Sequence, residues 1–345
     1  MSSQPAPLTS NAGKLEPIAI VGIGCRYPGG ADSPQALWRL LCDGVDAISP
    51  IPPDRFDADS LYDPRPSAPG KIAAHFGGFL REPLDQFDAA FFGISPREAV
   101  AIDPQQRLLL EIAWEALEDA GLPRERLAGV RGGVYVGMWS NEYEDRMYAD
   151  IRDIDLYVTT GGGRYSASGR LSYIFDLQGP SLTLDTACSS SLVAVHLACQ
   201  SLRDGESTIA LAGGVNLILQ PHISIGYSRS RMLSPDGRCK FGDARANGYV
   251  RSEGAGMVVL KTLSQALAAP HTATTAMPIQ PQPSGAWRKT SQPTAAAKAI
   301  CTYMKGISVA VGARPKARTS IRWPSVPSVP MASSRPICSP VASCS

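Results

Sequence analysis

A chain of 345 residues, 44% hydrophobic and 19% charged, can build one large or two ordinary domains around a sizeable core. Its formal net charge of +2 hides a split: residues 270–345 hold nine Lys or Arg and no Asp or Glu, which leaves 24 basic against 31 acidic residues, a balance of −7, in residues 1–269. An acidic body argues against nucleic acid as the main partner, no apolar run is long enough to span a membrane, and Met1 to Asn11 lacks the charged-then-apolar pattern of a secretion signal. The eight cysteines, at 25, 42, 188, 199, 239, 301, 338 and 344, show no Cys-x-x-Cys and no paired metal spacing. Free thiols in a reducing cytoplasm and no zinc site are expected.

Residues 1–15 read as a short disordered leader. Ile18 to Ile23 reads as a buried strand, with Gly22 and Gly24 forming a tight turn after it; a phosphate loop is set aside because Tyr27 breaks the Gly-x-Gly-x-x-Gly pattern. A helix from about Ser33 to Cys42 follows, with Ser33 as N-cap and Pro34 in the first turn. Residues 44–103 are rich in proline and aromatics and are expected to pack over the core as loops. Pro104 to Ala120 is an amphipathic helix with Leu108, Leu109, Ile112, Ala113, Ala116, Leu117 and Ala120 on one face, stopped by Gly121. Gly133 to Met138 reads as a strand, Gly161-Gly162-Gly163 as a flexible turn, and Arg164 to Phe175 as a helix.

Ser181-Leu182-Thr183-Leu184 alternates polar and apolar residues after Gly179-Pro180, the pattern of a strand, and Ser189 to Leu202 turns helical and almost wholly apolar. Cys188 therefore falls at a strand-to-helix junction. Unpaired N–H groups and the positive end of the helix dipole favour a thiolate there, the nucleophilic form. A buried structural cysteine is the plain alternative; the junction and the small residues around the thiol argue for the nucleophile. Thr208 to Val215 and Gly256 to Leu260 are the last strands. Strands alternating with helices, several apolar throughout, imply an α/β fold with a largely parallel or mixed covered sheet.

Asp185-Thr186-Ala187-Cys188-Ser189-Ser190-Ser191-Leu192 resembles the active-site motif of β-ketoacyl synthases, specifically the ketosynthase domain of type I polyketide synthases. Four further segments, in family order, share the resemblance: Pro17 to Pro28, Phe87 to Ala99, Asp103 to Glu111, and Phe241 to Gly254. Together they cover about Glu16 to Leu267. The resemblance implies the N-terminal half of a thiolase-like fold, layered αβαβα when complete, over residues 16–268. It implies Cys188 as catalytic acyl acceptor: its thiolate takes an acyl group from the phosphopantetheine arm of an acyl carrier protein. A malonyl-type thioester then loses CO2, and its enolate attacks the acyl-enzyme, in polyketide or fatty acid biosynthesis. It further implies no bound metal or redox cofactor, an acyl carrier protein as partner, and a homodimer formed through strands near the cysteine.

The family's condensation step also uses two histidines, in Glu-Ala-His-Gly-Thr-Gly-Thr and Asn-Ile-Gly-His motifs, and the sequence contains neither. Its histidines are at 75, 196, 222 and 271. His196 lies eight residues past Cys188, roughly 12 Å along the helix, too far to serve the same thiol as a base, and reads as a packed core histidine. His75 and His222 are expected in loops. Glu253 could be an active-site acid, with a buried structural carboxylate as the reading preferred, and Cys25 and Cys199 read as core thiols.

After Ala268 hydrophobic periodicity vanishes and acidic residues stop. One reading of 269–345 is a disordered basic linker; the preferred one is a change of reading frame, because nothing there matches the family's continuation. On that view the chain lacks the decarboxylation machinery. The alternatives are a catalytically inactive remnant, or a non-catalytic subunit that binds a carrier protein or a synthase.

Overall fold

The computed structural model describes residues 15–65 and 68–268, with the backbone of 277–278 and 319–320. The expected leader (but for Leu15) and the aberrant tail over 269–345 (but for those two dipeptides) lie outside the described residues. In chain order the elements are β1 (Ile18–Arg26), α1 (Pro34–Cys42), β2 (Ile48–Pro50), α2 (Ala58–Leu61), β3 (Phe76–Gly78), β4 (Gln86–Phe87), α3 (Pro96–Ala101), α4 (Pro104–Asp119), β5 (Gly132–Gly137), α5 (Glu142–Met147), α6 (Leu156–Gly162), α7 (Ser166–Phe175), β6 (Ser181–Leu184), α8 (Ser190–Arg203), β7 (Ile209–Asn216), α9 (His222–Arg229), β8 (Gly254–Thr262) and α10 (Leu263–Ala268).

The main sheet runs β6-β5-β7-β8-β1, with Met277–Pro278 beside β1. β5 pairs parallel with both β6 and β7, whereas β7–β8 and β8–β1 are antiparallel, so the sheet is mixed. Two layers of side chains follow from the period-2 pleat. Ala19, Val21, Val134, Val136, Ile209, Leu211, Met257 and Val259 point to one face, where α4 and α7 pack with Leu109, Ile112, Ala116, Leu171 and Phe175. Ile18, Tyr135, Ala210, Ala212 and Leu260 point to the other, where α8 rests through Ala194, Ala198, Cys199 and Leu202. This is the α/β architecture expected.

Local signals in the sequence act as they should. Ser33 Oγ accepts from Ala36 N at 3.2 Å with Pro34 opening α1, and Asp103 Oδ1 accepts from Gln105 N at 2.8 Å to open α4. Gly121 leaves α4 with φ +64°. The 44–103 region packs over the core, with Phe87 and Phe92 buried and Phe92 and Trp114 edge to face. It is not all loop: α3 was not anticipated, although Ser95 caps it through Glu98 N.

Three readings need correction. The turn expected at Gly22 and Gly24 is absent; β1 runs on to Arg26 because its ladder with β8 continues past a bulge at Val21. The glycines serve helix approach instead: a Cβ on Gly22 or Gly24 would stand 2.1 Å from the carbonyl oxygen of Ala116 or Ile112, so α4 can lie on β1 only where these side chains are missing. Gly161-Gly162-Gly163 is not a loose turn, since Gly161 and Gly162 close α6 and all three are buried, Gly161 against the Ala101 carbonyl. His222 opens α9 rather than lying in a loop.

Candidate active site

The end of β6 and the start of α8 are joined by five residues, Asp185 to Ser189. The joint is built from its own side chains. Asp185 Oδ1 accepts from Ala187 N at 2.9 Å, Ser190 Oγ accepts from Thr186 N at 2.9 Å and donates to Ala187 O at 2.7 Å, and Ser189 Oγ donates to Thr186 O at 2.8 Å. Short hydroxyl and carboxylate side chains bonding to nearby backbone hold a sharp turn that a longer side chain would not. Ala187 takes φ +54°, a left-handed value that costs an L-residue roughly 1–2 kcal/mol, so the turn is paid for by these bonds. Beneath it the first turn of α8 touches the sheet: a Cβ on Gly137 would lie 2.7 Å from Ser191 N.

Cys188 stands at the crest of this elbow and is exposed, two residues ahead of α8. The expected core thiols contrast with it. Cys25 and Cys199 are buried, and burial pushes the Cys25 thiol up to about 11 and raises that of Cys199. Tyr249 lies within electrostatic range of Cys188; burial and then Tyr227 raise its phenol above the ordinary range, with Cys188 adding to the shift.

Around the elbow, side chains from the ends of three strands are tied together. Arg164 donates from one guanidinium nitrogen to Asp185 Oδ2 and to the Trp139 carbonyl, each at 2.9 Å. The Trp139 indole N–H donates to Asn216 Oδ1 at 2.7 Å, and Asn216 Nδ2 donates to Ser252 O at 2.7 Å. Trp139 follows β5, Asn216 ends β7 and Ser252 precedes β8. Arg164, Trp139 and Asn216 carry no signal of a role in the sequence, because each acts across a gap that no local spacing marks.

Glu253 is the buried structural carboxylate preferred above. It takes both Nε and a second nitrogen of Arg55, at 2.8 and 3.0 Å, and the backbone N–H groups of Leu80 and Ile218. Glu142, not anticipated, is buried beside Arg251 and accepts from the backbone of Leu219 and Gln220. The reading of His196 is corrected: it is exposed, because it lies on the outward side of α8, which no described element covers. His75 packs at a tilt against the rings of Tyr62 and Phe76, and His271 lies outside the described residues. Among the described residues no group of three His, Cys, Asp or Glu side chains converges as a metal ion would require, and no helix is long and apolar enough to cross a membrane. A cavity of about 220 Å³ lies away from the thiol, between the end of β1 and the start of α4, lined by Arg26, Tyr27, Leu80, Leu84, Arg107 and Leu108.

A mixed α/β sheet with helices on both faces that lifts a solvent-facing cysteine on a strand-to-helix elbow defines a class, the N-terminal half of a thiolase-like fold. Residues 15–266 match the family described as the N-terminal domain of β-ketoacyl synthases, and the chain belongs to that family. It is 55% identical over 252 residues to one component of the phenolphthiocerol/phthiocerol polyketide synthase of Mycobacterium tuberculosis (strain CDC 1551 / Oshkosh), and 53% identical over 252 residues to another component of the same synthase. Each match takes in 73% of this chain, but only 14% of the first relative and 16% of the second. Among solved structures it resembles an oxazolomycin ketosynthase domain of Streptomyces albus JA3453, with a TM-score of 0.69 and 43% identity, over 73% of this chain and 45% of that one. The ketosynthase from module 6 of the bacillaene synthase of Bacillus subtilis 168 gives a TM-score of 0.65 and 41% identity, over 73% of this chain and 41% of that one.

Proposed function

We propose that this chain carries the acyl-accepting half of a polyketide ketosynthase, with Cys188 as the nucleophile. The observation that carries the reading is the exposed thiol on the elbow between β6 and α8. Its thiolate would attack the carbonyl carbon of an acyl thioester on the phosphopantetheine arm of an acyl carrier protein. A new C–S bond forms, the old one breaks, and the carrier thiol leaves with a proton. The Cys188 N–H would be one donor to the oxyanion as charge develops. In condensation, a malonyl-type thioester loses CO2, its enolate forms a C–C bond to the acyl carbon, and the bond to Cys188 breaks. Fatty acid synthesis is the alternative use of the same chemistry. The 345 residues contain neither histidine motif expected to stabilise that enolate, so decarboxylation is assigned to the second half of a complete domain.

On this reading residues 16–268 form the catalytic half, 1–15 a leader and 269–345 a segment read out of frame. The steps need no metal or redox cofactor, the carrier protein and a second copy are the partners, and the cytoplasm is the compartment. Sequencing the coding DNA beyond codon 260 tests the frame: a corrected frame should restore both histidine motifs. The nucleophile is tested by iodoacetamide labelling and peptide mapping at pH 7. Cys188 should be alkylated several-fold faster than Cys42 and Cys239, which are also exposed; equal rates for all three overturn the assignment.

A further inference from the structure

We propose that Arg164 is a positioning residue for Cys188, holding the elbow in the geometry that acyl transfer demands. The inference rests on the reading of Cys188 as nucleophile. One guanidinium nitrogen of Arg164 bridges two parts of the site, donating to Asp185 Oδ2 and to the Trp139 carbonyl, each at 2.9 Å. The other oxygen of Asp185 accepts from Ala187 N, also at 2.9 Å. Ala187 is the left-handed residue immediately before the thiol, the one point in the turn where backbone strain must be held. Arg164 thus grips the strained peptide through Asp185 and anchors it, through Trp139 and Asn216, to the ends of β5 and β7.

The pair is part-exposed, its side chains 40% and 41% accessible, so as a bare surface ion pair it would add little to stability. Its geometry has a different use. Attack on a thioester requires the thiol and the Cys188 N–H of the elbow to be aligned together, whereas alkylation requires only an accessible thiolate. A residue that sets alignment should therefore affect the first reaction and spare the second. Lysine can still donate to both Asp185 and the Trp139 carbonyl, though from a single point and not from a planar fork.

The experiment compares the full chain with Arg164→Ala, Arg164→Lys and Asp185→Asn. For each, two rates at Cys188 are measured at one pH by intact mass and peptide mapping: acylation by an N-acetylcysteamine thioester, and alkylation by iodoacetamide. Arg164→Ala should slow acylation tenfold or more with alkylation unchanged within twofold, and Arg164→Lys should recover most of the loss. Asp185→Asn leaves an oxygen for Ala187 N but turns an amide N–H towards Arg164, and should give the same split; it serves if Arg164→Ala does not fold by circular dichroism. Equal acylation in the full chain and the variants, or parallel loss of both rates without rescue by lysine, overturns the positioning role alone. If the unaltered chain alkylates at Cys188 but takes no acyl group, the nucleophile reading falls and this inference falls with it.

Discussion

The two faces of the sheet are finished to different degrees. On one, α4 is buried along most of its length, from Pro104 to Leu117, and α7 and the aromatic residues of the 87–92 segment close the layer. On the other, α8 buries only the side towards the sheet, leaving Leu192 73% exposed beside Ser191, His196 and Gln200 in solvent, while Leu182 on the edge strand β6 is 42% exposed. Among the described residues the α4 face is a closed core, whereas the α8 face, which carries the elbow, has its outer side open to solvent.

The finished face is most vulnerable at its closest contact. Gly24→Val would drive a side chain into the Ile112 carbonyl, 2.1 Å from the position of its Cβ, and should abolish cooperative unfolding in urea followed by circular dichroism. Next, Leu109→Ala, fully buried in the α4 layer, should lower stability by about 3 kcal/mol. Leu192→Ala on the unfinished face should change it by less than about 0.5 kcal/mol in the same assay. Comparable losses at the two leucines would mean that the α8 face is covered.

A subtler test uses the cap of α4. Asp103 is fully buried, and burial, opposed by the Gln105 N–H and Arg107, pushes its carboxyl up to about 7. The folded state thus holds a proton that the unfolded chain gives up near pH ~4. Stability from this group is complete below about pH 4, falls as pH rises to about 7 and is level above. Asp103→Asn keeps an acceptor for Gln105 and should flatten that part of the pH–stability curve measured by urea midpoints; an unchanged slope would show that Asp103 is ionised throughout.

Much of this was legible because it is local. The Ser33 cap, the apolar stripe of α4 and the alternation of Ser181 to Leu184 each record structure within a few residues. The left-handed Ala187 and the bonds from Asp185 and Ser190 stay within six residues of each other, so the elbow could be placed at Cys188 from sequence. What could not be read depends on distant partners. Arg55 and Glu253 meet across 198 residues, and Arg164 reaches Asp185 across 21. His196 reads as a core residue because the apolar run around it hides that it shares the outward side with Ser191, Gln200 and Arg203. Gly22 and Gly24 looked like a turn because a glycine needed for helix approach and one needed for a turn are the same letter.

The most direct test of Cys188 as acyl acceptor is where an acyl group lands. The full chain is incubated with an N-acetylcysteamine thioester and with an acyl carrier protein bearing the same acyl group, then mapped by peptide mass spectrometry. One acyl group is expected on Cys188 from either donor, with none in Cys188→Ala and with Cys25 and Cys199 unmodified. Acylation spread over Cys42 and Cys239, or a mark that survives Cys188→Ala, would contradict that role.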